Sequence, residues 1–342
     1  MIRAGFKWMF LIIGTTIGAG YASGRELWEF FGHESGLAIT LFAILFTMSC
    51  YIIMVLSYQK QSSDYVPVLR MIVGKRLTGV YDFMIFLYLF TVTVVMIAGS
   101  GATGQVFQLS YWWGIAFIII ALILLFIKGI NGLLMINQLI LPLLIMGLLT
   151  VLLIFIYDEG LMLFSHWHEQ RNWMSAFPFT ALNILPLIAV IGAVGNKIRS
   201  KREIWIASVG SGLILGGVSY IYNSSLIQIA DEILLYEIPL FAILKEYPME
   251  MIVWMSLLLW FAIFTTAAAN VLGLVSRLQP YWNIPIGILV LGILLPMIPL
   301  TLVGFSTLIS YIYPAYGLLN LYVLSRLICY PFWKKTVIEN EM

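Results

Sequence analysis

The chain has 342 residues, 62% hydrophobic and 10% charged, with a formal net charge of +2 and a mean hydropathy of +1.00. A soluble domain carries about 25% charged residues, so this composition excludes one and predicts an all-α, polytopic membrane protein. It holds no clustered basic face for nucleic acid. Its two cysteines, Cys50 and Cys329, lie far apart in apolar runs and offer neither a disulfide framework nor metal-ligand spacing. Both are read as buried, reduced and inert.

The N-terminus, with Arg3 and Lys7 before the apolar run Trp8 to Ile13, imitates a secretory signal. The stretch beyond Ala22 is the continuation of that run, however, so the segment is read as a first membrane span, Gly5 to Phe31. Inside it residues 14 to 24 read GTTIGAGYASG. Each glycine costs roughly 1 kcal/mol of helix stability against alanine, so Gly14, Gly18, Gly20 and Gly24 make unwinding cheap. Unwound backbone survives in hydrocarbon only where protein or a cavity supplies its partners. The break is therefore the first candidate binding site, and three small hydroxyl side chains, Thr15, Thr16 and Ser23, accompany it.

About 20 apolar residues cross a bilayer, and nine further spans follow: Gly36–Tyr58, Val80–Phe107, Trp112–Ile127, Leu133–Tyr157, Trp173–Ile198, Ile204–Ile229, Met249–Val275, Ile284–Leu300 and Phe305–Ile328. A polar loop from Asp158 to Asn172 carries His166, His168 and Arg171, and an amphipathic connection runs from Asp231 to Pro248. With both termini in the cytoplasm, only Arg25, Arg171 and Lys245 of the 18 Lys and Arg fall outside. That is the positive-inside pattern of a multi-pass protein of the cell membrane.

Ten spans divide into five and five, residues 1–172 and 173–342. Because five is odd, a second half built like the first enters from the opposite side, the inverted-repeat arrangement of many secondary transporters. The sixth span contains Pro178, Asn183 and Pro186. A proline inside a helix frees a carbonyl one turn earlier, so this span is predicted to break near Leu182, matching the break in the first.

Ten spans with such breaks in the first and sixth resemble the LeuT-fold amino acid–polyamine–cation (APC) transporter superfamily. The IGAG core, Ile17 to Gly20, is similar to the substrate-carboxylate loop of its amino-acid permeases, and the whole chain resembles the YkvI-type permeases. The resemblance implies a secondary transporter, not an enzyme, importing an amino acid or related small zwitterion by alternating access. Its alternatives are a permease-like solute receptor that binds without net transport, and a proton-coupled transporter. It implies no cofactor, only a coupling sodium held by the carbonyls of Gly14, Ile17 and Ala262 and the hydroxyls of Thr265 and Thr266. Proton-coupled relatives often place a lysine in the fifth span, and this one has none, which favours sodium. The rival account is that the two threonines bond to carbonyls one turn back in their own helix.

For substrate, the resemblance implies a carboxylate on the N–H groups of Gly18, Ala19 and Gly20. The amine would meet carbonyls near Thr15 and Thr16 and near Phe179 and Asn183, and Tyr88 would assist. No acidic residue lies within the span-one break, which argues against monoamine and divalent-metal substrates. Arg25 and Glu29, four apart, read either as a surface pair or as an outer gate, with Glu26 beside them at the interfacial helix end. Asp82 reads as a solvated residue at the entrance of span three. Gly99 to Gly104 spells GxGxxG but inside a membrane helix, so it predicts close packing rather than a dinucleotide site, as do Ser208, Gly212 and Gly216. His166 and His168, two apart, do not share a helix face and predict no metal site. The sequence leaves the oligomeric state open.

Overall fold

The computed structural model describes residues 2–32, 35–106, 108–127, 130–160, 170, 172–236, 238–282 and 284–340. His166, His168, Lys128 and Arg171 lie outside them. The first span is three short helices, α1 (Ile2–Thr16), α2 (Ala19–Ala22) and α3 (Arg25–Phe30). It is followed by α4 (Gly36–Lys60), α5 (Val66–Val106), α6 (Tyr111–Ile127) and α7 (Ile130–Asp158). A 3-10 turn, Trp173–Ser175, leads into α8 (Ala176–Gly192); then come α9 (Lys201–Gln228), α10 (Pro239–Leu244) and α11 (Met249–Leu278). The chain ends in α12 (Ile286–Leu294), which continues as a 3-10 stretch to Val303, then α13 (Phe305–Leu319) and α14 (Leu321–Asn340).

Among the described residues seven helices are long and apolar enough to cross a membrane, eight if α13 and α14, bent by 40°, form one span. Helices this apolar on every side belong in protein interior or lipid, and the chain is a multi-pass membrane protein. α5 is longer than the predicted third span because it begins at Val66, and it kinks at Gly74, whose φ of 81° suits glycine alone.

The small residues of α9 do what was expected of them. Gly212 lies against Thr47 and Gly216 against Ala43 of α4, and Gly210 faces Met9 of α1. In lipid, where apolar surface gains nothing by self-association, such close approach is what drives packing. The glycines of the GxGxxG stretch likewise lie inside α5, with Gly101 against Tyr111 and Gly104 near the backbone of Gly114. Cys50 is buried as predicted, but Cys329 is exposed.

The sixth span departs from expectation. α8 is one continuous helix with Pro186 inside it, and its side chains are buried along almost the whole length. It is surrounded by α1, α4, α5, α11, α13 and α14. A proline interrupts one hydrogen bond, about 3 kcal/mol in an isolated helix. Encased on all sides, the helix stays straight because its neighbours hold it, as membrane helices tolerate proline when packed by others. Asn183 spends its side chain locally, donating from Nδ2 to the Phe179 carbonyl at 2.9 Å.

The end of the bundle bearing Lys7, Lys197 and Arg277 is tied by two acids, Glu203 buried and Asp82 partly so. Glu203, in the first turn of α9, accepts from Trp8 Nε1 at 3.1 Å and from the Arg199 N–H at 3.3 Å, while Ser200 caps the helix. That joins the start of α1 to the start of α9. Asp82 is not simply solvated: it takes Arg277 Nη2 at 2.7 Å and Nε at 3.0 Å, and Tyr65 donates to it at 2.9 Å. The fork-on-carboxylate geometry closes α5 against α11.

Candidate functional site

The break falls where the glycines predict it. Ile17 still donates to Ile13, but the Gly18 N–H turns back to the Thr16 carbonyl at 3.0 Å. Gly18 is extended, with φ −102° and ψ −164°. In an unbroken helix the carbonyls of Gly14 and Ile17 would accept from residues 18 and 21. The break removes both donors, and Thr266 of α11 replaces them. Its hydroxyl lies 2.8 Å from the Gly14 oxygen and 2.9 Å from the Ile17 oxygen.

One hydroxyl has one proton, so it cannot satisfy both carbonyls at once. Three oxygens therefore converge at a point with too few hydrogens, at the C-terminal, electronegative end of α1. That surplus of acceptors is what a small monovalent cation requires. Thr265 behaves differently, donating to the Ala262 carbonyl of its own helix at 3.1 Å. The back-bonding account thus holds for Thr265 and not for Thr266. Thr15 and Thr16 also back-bond, to Leu11 at 2.8 Å and Ile12 at 3.2 Å. One turn beyond Thr266 on the same face, Asn270 is buried with neither amide atom partnered within the protein.

The other side of the break differs from the expected carboxylate cradle. The Ala19 N–H points at the Met96 sulfur, 3.3 Å away, while the Ala22 N–H donates to the Gly18 carbonyl and the Ser23 N–H to that of Ala19. Phe179 does not face a ligand. It packs its ring edge-on against Phe31 and Phe42, at centroid distances of 4.7 and 4.6 Å, and its carbonyl already accepts from Asn183. Tyr88 is buried, its ring 4.8 Å from that of Tyr316.

The residue that sequence reasoning misplaced is Glu26. It is not at an exposed helix end: it is 4% exposed, and its Oε2 would lie 2.9 Å from a Cβ built on Gly20. Asn183 is within hydrogen-bonding reach of it, and Tyr88 and Tyr313 are close enough to feel its charge. Its inward turn is made by a second break at Ser23 and Gly24, where Gly24 takes φ 82°. The paired glycines flanking Tyr21 to Ser23 were a usable signal, since a second reversal folds α3 back beside the residues of the first break.

That second break is clamped. Tyr222 donates to the Ala22 carbonyl at 3.0 Å, the Leu240 N–H to the Ser23 carbonyl at 2.9 Å, and Arg25 Nη2 to the Tyr236 carbonyl at 2.6 Å. Arg25 and Glu29 do not form the expected pair. Glu29 instead accepts from Ser310 at 2.8 Å. Gly24→Ala should lower the melting temperature of the purified protein by several degrees. A left-handed alanine costs about 1–2 kcal/mol, and its methyl would press the Tyr222 ring at 2.9 Å. An unchanged melting temperature would show that the turn is not under this constraint.

No family profile matches the chain. It is 46% identical to YyaD of Bacillus subtilis (strain 168) over 333 residues, 97% of this chain and 98% of that one. It is 25% identical to the membrane protein YkvI of the same organism over 331 residues, 94% of each. Among solved structures it superposes on a manganese transporter of Eremococcus coleocola with a TM-score of 0.68 and 12% identity, covering 94% of this chain and 78% of that one. A Na+-coupled sialic acid symporter gives a TM-score of 0.65 at 12% identity, over 90% and 73% of the two chains. At such identities the likeness is one of fold, and the fold is that of LeuT.

Proposed function

The chain belongs to the family of YyaD and YkvI, built on the LeuT transporter fold rather than on an enzyme's, and from that membership we propose that it is a sodium-coupled secondary transporter. It moves a small amine-bearing solute of the amino-acid class across the cell membrane by alternating access. Ten spans in two inverted repeats, 1–172 and 173–342, with both termini cytoplasmic, are the arrangement this requires. The broken first span, the short α6 and the bent α13–α14 pair make up the number beyond the long helices.

One observation carries the reading: the carbonyls of Gly14 and Ile17, released by the break, meet at the Thr266 hydroxyl. Sodium would take those three oxygens, with the Ala262 carbonyl as a further ligand and Thr265 orienting that carbonyl from its own helix. Solute would occupy the far side of the same few peptides, near Gly18, Gly20, Tyr88 and Asn183. Because ion and solute order one backbone segment, each raises the other's affinity by the same factor. The clamp of Tyr222, Tyr236 and Leu240 on residues 22 to 25 is then the outer closure, and the Asp82–Arg277 pair the inner one.

The test is uptake of radiolabelled amino acids into proteoliposomes under an inward sodium gradient. Accumulation that collapses when the gradient is dissipated is the expected result. Saturable binding with no accumulation for any of them would replace the transporter by a solute sensor.

A further inference from the structure

An ionisable side chain within a membrane protein is costly and is seldom retained without use. Glu26 is buried beside the break, and among the described residues no basic side chain forms an ion pair with it. Its surroundings are an amide and tyrosine rings: Asn183, Tyr88 and Tyr313, with Gly20, which lacks the Cβ that would press on Oε2, beside it. Burying a lone carboxylate without a counter-charge is among the most unfavourable arrangements a protein can hold. A carboxylate set among tyrosines and an amide is, however, well made for one kind of ligand. An ammonium group donates to the carboxylate and an amide oxygen, and it is attracted to ring faces by about 0.5–2 kcal/mol.

We propose that Glu26, with Asn183, Tyr88 and Tyr313, is the subsite that binds the protonated amine of the transported solute. The cluster holds one carboxylate, too little charge and too few oxygens for a divalent cation. Among the described residues no group of three or more His, Cys, Asp or Glu side chains could hold a metal. The expected anion grip is also altered, since the Ala19 N–H is turned to the Met96 sulfur. Recognition therefore rests on the positive end of the solute. Zwitterions and simple amines share that chemistry, and they are separated by experiment.

This inference rests on the transport reading for the place of the site, but it is tested by binding alone. Purified protein in lipid nanodiscs is screened by thermal unfolding against methylammonium, the common amino acids, their decarboxylated amines and their deaminated acids. Binders should come only from the ammonium-bearing sets. Glu26→Gln, which keeps the shape and the contact with Asn183, should weaken them by about tenfold or more, as expected for losing a charged hydrogen bond. Glu26→Asp should fall between the two. A response to amino acids but not amines identifies a zwitterion carrier, and the reverse a simple-amine carrier. Undiminished affinity in Glu26→Gln, binding of a deaminated acid, or no ammonium-bearing binder overturns the assignment. Glu26-dependent binding without proteoliposome uptake would leave the subsite standing and remove the transport reading; uptake indifferent to Glu26→Gln would do the opposite.

Discussion

Thr266→Val is expected to abolish stimulation by sodium, while Thr265→Val retains most of it. The two residues are adjacent, both are buried, and valine has nearly the shape of threonine. Their hydroxyls differ in where they point. Thr266 spans to α1 and meets two carbonyls that have no other donor, whereas Thr265 returns to Ala262 in its own helix. Valine at 266 removes one oxygen from the ion and leaves the Gly14 and Ile17 carbonyls unpartnered. Each unpartnered buried group costs about 1–3 kcal/mol, so the variant should also melt earlier. Valine at 265 loses only one back-bond that the ion would replace. Sodium titration of uptake in both variants is the measurement. Equal losses, or none at 266, would count against the ion site at the break.

Gly18→Leu is expected to eliminate both solute binding and sodium dependence. The cause is space, since the backbone angles of Gly18 suit any residue. A Cβ there would sit 3.0 Å from Thr266 Cγ2 and 3.2 Å from both Thr266 Oγ1 and Met96 Sδ. The rest of a leucine must displace one of these, and overpacking costs about 1–3 kcal/mol before any function is counted. Alanine at the same place should be milder, because a thioether gives way more easily than a packed threonine. Met96→Ala in the Gly18→Leu background should then restore part of the binding. Wild-type uptake by Gly18→Leu would mean that the solute does not pass the break.

Much of this site was legible before any coordinates. Four glycines in eleven residues mark the first break, and the family resemblance sets Thr265 and Thr266 together opposite it; only the fold turns Thr266 alone to the carbonyls which that break exposes. The Pro186 signal was equally plain and misled. A proline lowers helix stability locally, yet whether a helix opens depends on what surrounds it, and α8 is held by six others. Arg25 and Glu29 show the same limit from the side of charge. Four-apart spacing predicts a pair, but Tyr236 and Ser310 offer partners that no local rule could anticipate.

By itself, then, the sequence determined the membrane environment and the position of the first break. These come from hydropathy and local backbone energetics, which act over a few neighbouring residues. Only the tertiary structure decided that the sixth span stays whole and that Glu26 points inward rather than out. Both depend on contacts between segments hundreds of residues apart, such as Tyr222 on Ala22 and Leu240 on Ser23, and those contacts outweigh the local preferences of the chain.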